Sequence, residues 1–367
     1  MDDNNLKINA CENYLKKRNP KDIQEYINIK SIECLIRNAI KFISINTKYN
    51  EEELYKILNE NVHNIQIVNN FRRDKVNGIA HMDVRTKTMR FRNDLFEHKL
   101  NVLNFQKIVT HELIHALSNR KIKLGLFKTL CETGYEAVLM KTFSRNAYIK
   151  NKAFNEALVE TLASKGIPYQ TRRFMGYSIY SNLETPSYAI ISNLVNQMFI
   201  ANEITNEEWI DGLFNKESCE KVLNSFEENN FRKISKNMHE IFELSSIVGM
   251  NEIVFFEKQN IGDKINVRAL QDYENVKKEV KECIGNTERL IIDNILLPKL
   301  RGKTSEDKNV LLKKYQKFII SERDYFEKKV GNSFDESDDR TCMKINYQKK
   351  AKEYVIDDNN DLQLGDR

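Results

Sequence analysis

The segment His111-Glu112-Leu113-Ile114-His115 places two imidazoles and a carboxylate within five residues. It lies inside an apolar-periodic run, marked by Phe105, Ile108, Val109, Leu113 and Leu117, so the spacing predicts a helix from about Asn104 to Leu117. On a helix, residues i and i+4 stand one turn apart on the same face. That geometry brings both imidazoles to one tetrahedral metal ion. Glu112 leaves the helix about 100° away, where it can lean over an open metal position and take a proton from water instead of ligating. With 6 His in 367 residues, the pattern arises by chance in roughly one chain in a hundred. A second feature has to decide. Two protein ligands rarely hold zinc, and a catalytic site takes three plus water. The remaining histidines, 63, 81, 98 and 239, have no recognisable spacing. Downstream stands Asn155-Glu156-Ala157-Leu158-Val159-Glu160, in a second helical stretch from Ala153 to Ala163.

Metzincin sites continue as HExxHxxGxxH, but Ser118 and Lys121 occupy the glycine and histidine positions here. HELIH followed by NEALVE instead resembles the gluzincin class of zinc metallopeptidases, to which thermolysin belongs. The resemblance covers roughly Gln66 to Met198 and is specific at these two motifs. It implies Zn²⁺ held by His111, His115 and Glu156, with Glu112 as general base and Glu160 as the acidic partner of His111. Glu at position 160 departs from the Asp more usual in thermolysin-type segments. An electrostatic argument runs alongside: carboxylates at i and i+4 repel by ~0.2–0.5 kcal/mol, more if buried. A cation on Glu156 and an imidazole N–H on Glu160 would turn that repulsion into attraction. The class also needs a donor for the oxyanion, usually Tyr or His. Tyr148 stands near where related sites carry such a tyrosine, with Tyr177, Tyr180, Tyr188 and His239 as rivals. The resemblance further implies a small β-sheet before the motif helix, whose edge strand binds extended substrate. Thr88 to Arg92 occupies the expected position.

Several elements must position these groups. Ile32, Leu35, Ile36, Ile40 and Ile43 recur at helical spacing, and Leu54, Ile57 and Leu58 continue the pattern, so residues 5–60 read as two or three amphipathic helices. Ile65 to Val68 looks like a strand. After Asn77-Gly78, the stretch from Ile79 to Phe91 reads as two strands with Met89 and Phe91 on one face. Between the motifs, helix-forming residues from Tyr135 to Met140 predict an inserted helix. Tyr188 to Ile200 is a further helix after Thr185-Pro186-Ser187, and from Val267 to Ala351 the chain is charged, helical and poor in Gly. Only 12 Gly and 4 Pro argue against an all-β sandwich, which needs frequent turns. The expected fold class is therefore α+β and mainly helical. Its zincin-like catalytic domain spans 61–250, between an N-terminal helical segment at 1–60 and a charged helical extension at 251–367 that ends in a disordered tail.

Charge and cysteine usage narrow the setting. The net charge of +5 is a small difference between 58 basic and 53 acidic residues and argues for no nucleic-acid partner. The 6 Cys are scattered, with no CxxC pair, as expected of reduced thiols in a cytoplasmic protein. Neither a signal peptide nor a membrane span is visible, although export without a cleavable signal stays open. The expected substrate is a peptide or protein, and the C-terminal helices are candidates for contact with a protein partner. The alternative function is a catalytically silent zinc-binding regulator with the same fold. A third reading is a chance HExxH in a helical interaction or nucleic-acid-binding protein.

Overall fold

The computed structural model describes residues 23–68, 80–83, 86–92, 102–124, 128–141, 147–261 and 267–331. For 23–30, 102–104, 121–124, 128, 140–141, 147–148, 250–261 and 267–270, only the backbone is described. The expected disordered tail, and the helical readings for residues 5–22 and 332–351, lie outside these residues.

The N-terminal part forms two helices, α1 (Ile23–Asn46) and α2 (Glu51–Asn61). Ile32, Ile36, Ile40 and Ile43 of α1 are fully buried, as their one-face spacing requires. A capping box starts α2. Asn50 accepts from the Glu53 N–H and Glu53 accepts from the Asn50 N–H, both at 2.9 Å.

A three-stranded sheet follows, built from β1 (Asn64–Val68), β2 (Ala80–Asp83) and β3 (Thr88–Arg92) in the order β1-β3-β2. The β2–β3 pair is antiparallel, whereas β1 joins β3 in parallel with Ile65 opposite Met89. Met89 and Phe91 are fully buried, as their alternation predicts. The expected role of β3 as substrate-binding edge is overturned, because β3 is central and both its sides are taken up by neighbouring strands. Among the described residues, β2 is bonded on one side only, and β2 is the strand that packs against the next helix, α3 (Val102–Leu117).

The segment between the two motifs corrects a second expectation. Residues 135–140 are not helical. The region forms an antiparallel meander of β4 (Asn119–Leu124), β5 (Lys128–Thr133), β6 (Glu136–Lys141) and β7 (Ala147–Lys150). Gly134 opens the two-residue β5–β6 loop at φ +56, a conformation that hairpin turns require at this position and that glycine adopts freely. With that loop and a strand on each side of β6, pairing overrides the helix-forming side chains of Glu136, Ala137 and Leu139.

Next come α4 (Lys152–Ala163), the hairpin β8–β9 (Gln170–Phe174, Tyr177–Ser181) and α5 (Pro186–Ala201), which is buried on nearly every side. The remainder is helical: α6 (Asn206–Phe214), α7 (Lys216–Asn224), α8 (Glu228–Ile261), α9 (Val267–Ile291), a π-helical turn at Ile292–Leu296, α10 (Ser305–Tyr315) and α11 (Arg323–Val330). The fold is thus mainly helical α+β with small sheets. The division expected at 250/251 falls inside α8.

A continuous hydrophobic cluster runs from Ile32 in α1 to Phe326 in α11. The C-terminal helices are keyed into it by Glu288 of α9. Its fully buried carboxylate accepts from Gln197 of α5 and from the backbone N–H groups of Ile320, Ser321 and Glu322. With the Ser321 hydroxyl, five donors surround this buried carboxyl and offset part of the water it gave up, though burial still holds it above the usual carboxylate range. No helix among the described residues is long and apolar enough to cross a membrane.

Candidate metal centre

Helices α3 and α4 carry the two motifs, and each is anchored on the face opposite the site. Val109, Leu113, Ile114 and Ala116 of α3 are fully buried. Asn61 donates from Nδ2 to the carbonyl of Ala116 (2.9 Å), an acceptor that the end of a helix leaves free, and to that of Asn119 at the start of β4 (3.0 Å). On α4, Phe154 packs edge-on against Tyr135, Phe199 and Phe231 at 5.4–5.8 Å between ring centres. Its neighbour Asn155 accepts from the Tyr135 N–H at 2.9 Å, tying the β5–β6 loop to the start of α4. The rotation of α4 is thereby set, and Glu156 faces α3.

The three candidate ligands meet. Nε2 of His111 lies 3.1 Å from Nε2 of His115 and 3.3 Å from Oε2 of Glu156, and His115 Nε2 lies 3.5 Å from Glu156 Oε1. Zinc–ligand bonds of ~2.0–2.1 Å at tetrahedral angles put ligand atoms about 3.3–3.4 Å apart. The observed spacings, with those to Glu156 taken to its two different oxygens, lie around that value, so the three groups could hold a metal ion such as zinc. Among the described residues, this is the His/Cys/Asp/Glu group whose ligand atoms converge within 4.8 Å of one another. Cys131 is buried on β5 and is not a member.

Glu160 of α4 accepts from Nδ1 of His111 at 2.8 Å. That bond leaves the Nε2 lone pair of a neutral His111 directed at the metal position. Burial pushes the His111 imidazole down, but the bonds to Glu156 and Glu160 overcome it and hold the ring well above the usual histidine range. Burial likewise raises Glu156, while His115 and His111 bring it well below the usual carboxylate range. For Glu160, burial is outweighed by His111 and Lys107, which hold the carboxyl at about 2. Carboxylates are therefore kept ionised around one point.

Glu112 is half-buried, and its charge bears on both His115 and Tyr188, which puts it in their neighbourhood. Among the tyrosine candidates whose side chains are described, one reaches the site. Tyr188, at the start of α5, donates to Glu156 Oε2 at 3.4 Å, and its ring centre is 6.1 Å from that of His111. Burial and the nearby carboxylates push its phenol well above 10, so it stays an O–H donor. Tyr148 sits on β7 opposite Leu139, with its side chain outside the described residues. Tyr177 packs beneath Lys281, Tyr180 joins Tyr169 and Phe318, and His239 is exposed on α8. His98 lies outside the described residues.

Two groups near the site were not read from the sequence. Lys107, on α3, reaches Glu160 Oε1 at 2.9 Å. Its position one turn before His111 was the signal. Glu136, on β6, had no local signal, because strand pairing carries it to the ligands. Burial, and after it the Glu156 carboxylate, push Glu136 up to about 7. A carboxyl with a folded pKa above its unfolded one stabilises the protein at low pH and loses that contribution as pH rises through the folded value. The metal-free Glu136→Gln variant should therefore match the wild type at pH 4 and exceed it at pH 8. Allowing for partial exposure to solvent, the gain should be about 2 kcal/mol. Urea denaturation at the two pH values checks this, and equal stabilities at pH 8 would refute it.

Comparison with family models, curated proteins and solved structures finds no match to this chain.

Proposed function

We propose that the protein is a zinc-dependent metallopeptidase of gluzincin type, with a zincin-like catalytic domain, acting on peptides or proteins in the cytoplasm. The observation that carries this reading is the convergence of His111 Nε2, His115 Nε2 and a Glu156 carboxylate at tetrahedral-edge spacings, with His111 held from behind by Glu160. Zn²⁺, when bound, supplies a Lewis acid and brings the pKa of a water down towards ~7.

The chain's own groups do the rest. The Glu112 carboxylate accepts the proton of the attacking water and passes it to the leaving amine. Tyr188 takes the oxyanion-binding role expected of a tyrosine, donating from Oη where charge develops on the former carbonyl. Strand β2, which packs against α3, is the edge on which an extended substrate would add main-chain hydrogen bonds.

The test is metal analysis of gently purified protein, paired with cleavage of a peptide library. About one zinc per chain and zinc-dependent cleavage are expected. Metal-free protein with undiminished stability would sink the reading. Zinc without cleavage of any peptide would favour a silent zinc-binding regulator.

A further inference from the structure

Lys107 precedes His111 by one turn of α3, so both side chains emerge on the same face. Its Nζ lies 2.9 Å from Oε1 of Glu160, while Oε2 of the same carboxylate accepts from His111 Nδ1 at 2.8 Å. The three groups form a closed path. α3 leaves at Lys107, crosses to Glu160 on α4, and returns to α3 at His111. All of it is withdrawn from water: side-chain exposure is 14% for Lys107, 7% for Glu160 and 11% for His111. A lysine so buried is costly unless paired, and helix packing alone would be served as well by an apolar residue.

A carboxylate held by one oxygen can swing about its terminal bond. Held by both oxygens it cannot, and Glu160 is held by both. The geometry points to Lys107 as a positioning residue of the metal centre, which fixes Glu160 so that His111 keeps Nε2 aimed at the metal position. The inference rests on the zinc reading and adds to it a residue that touches neither metal nor substrate. Its expected signature is metal affinity, because a loosened Glu160 leaves His111 free to rotate and to exchange tautomers.

Zinc dissociation constants measured by chelator competition on full-length wild type, Lys107→Met and Lys107→Arg test it. Lys107→Met should bind zinc about tenfold more weakly, at the low end of the 10–100-fold that loss of an outer partner costs. Lys107→Arg restores a cation in reach of Glu160 and should recover affinity to within about threefold of wild type. Lys107→Gln is too short to hold the same oxygen. It should lose affinity like Met, and it provides the comparison should Lys107→Met fail to fold. Neutral variants within twofold of wild type would overturn the inference, as would an arginine variant no better than the neutral ones, which would mark a packing role only. Wild type that binds no zinc would instead count against the zinc reading itself.

Discussion

Glu112→Gln is expected to retain one zinc per chain and lose peptide hydrolysis by about 10²–10⁴-fold, the usual contribution of a positioned general base. The substitution replaces a carboxylate oxygen with an amide nitrogen of nearly the same shape. Helix α3 and the ligands on it keep their packing, because His111 and His115 are held by contacts in which Glu112 takes no part. On the proposed mechanism, what disappears is the proton acceptor. Metal content and single-turnover cleavage of the same sample separate the two effects. Wild-type turnover by zinc-loaded Glu112→Gln would remove Glu112 from the mechanism.

His115→Ala is expected to lose zinc and hydrolysis together. Its Nε2 is one of the three converging donor groups, 3.1 Å from His111 Nε2 and 3.5 Å from Glu156 Oε1. Two remaining ligands do not make a closed zinc site, so the loss of affinity should exceed the 10–100-fold that an outer partner costs. Thermal stability provides a reading independent of turnover. Zinc at about a thousand times its dissociation constant should stabilise the wild type by about 4 kcal/mol, whereas added zinc should leave His115→Ala unchanged. A zinc-dependent rise in melting temperature equal to wild type in His115→Ala would exclude this histidine as a ligand.

How much of the site could be read in advance depended on sequence distance. His111 and His115 lie four residues apart on one helix, so their meeting follows from local backbone geometry once the apolar periodicity has marked the helix. The same holds for Glu156 and Glu160 on α4, and it held for Lys107, where the spacing to His111 was present but carried no motif to draw attention to it. Across elements, local rules say nothing. In a chain with 15 Tyr, the sequence favoured Tyr148 only by its position before Glu156, and it is the packing of α5 against α4 that brings Tyr188 to Glu156.

Strand pairing was the least legible feature. The strands at 64–68, 80–83 and 88–92 were marked by alternation and turn residues, but alternation is silent on neighbours. The parallel bond between β1 and β3 makes Thr88–Arg92 the central strand and leaves β1 and β2 as the edges among the described residues. From Tyr135 to Met140, helix-forming side chains pointed the wrong way, because strand pairing on both sides stabilised β6 beyond their local preference.

The sequence by itself determined the helical character of the chain, the two helices that carry the candidate ligands, and the face of each on which those ligands sit. These depend on a period of 3.6 residues and on side-chain type, both local properties. Only the tertiary structure decided that the two faces meet with their donor atoms 3.1–3.5 Å apart, that Lys107 and Glu136 stand near them, and that Tyr188 reaches Glu156. Those placements come from packing and pairing between segments dozens of residues apart, where hydrophobic burial and backbone hydrogen bonds, not local propensity, set the geometry.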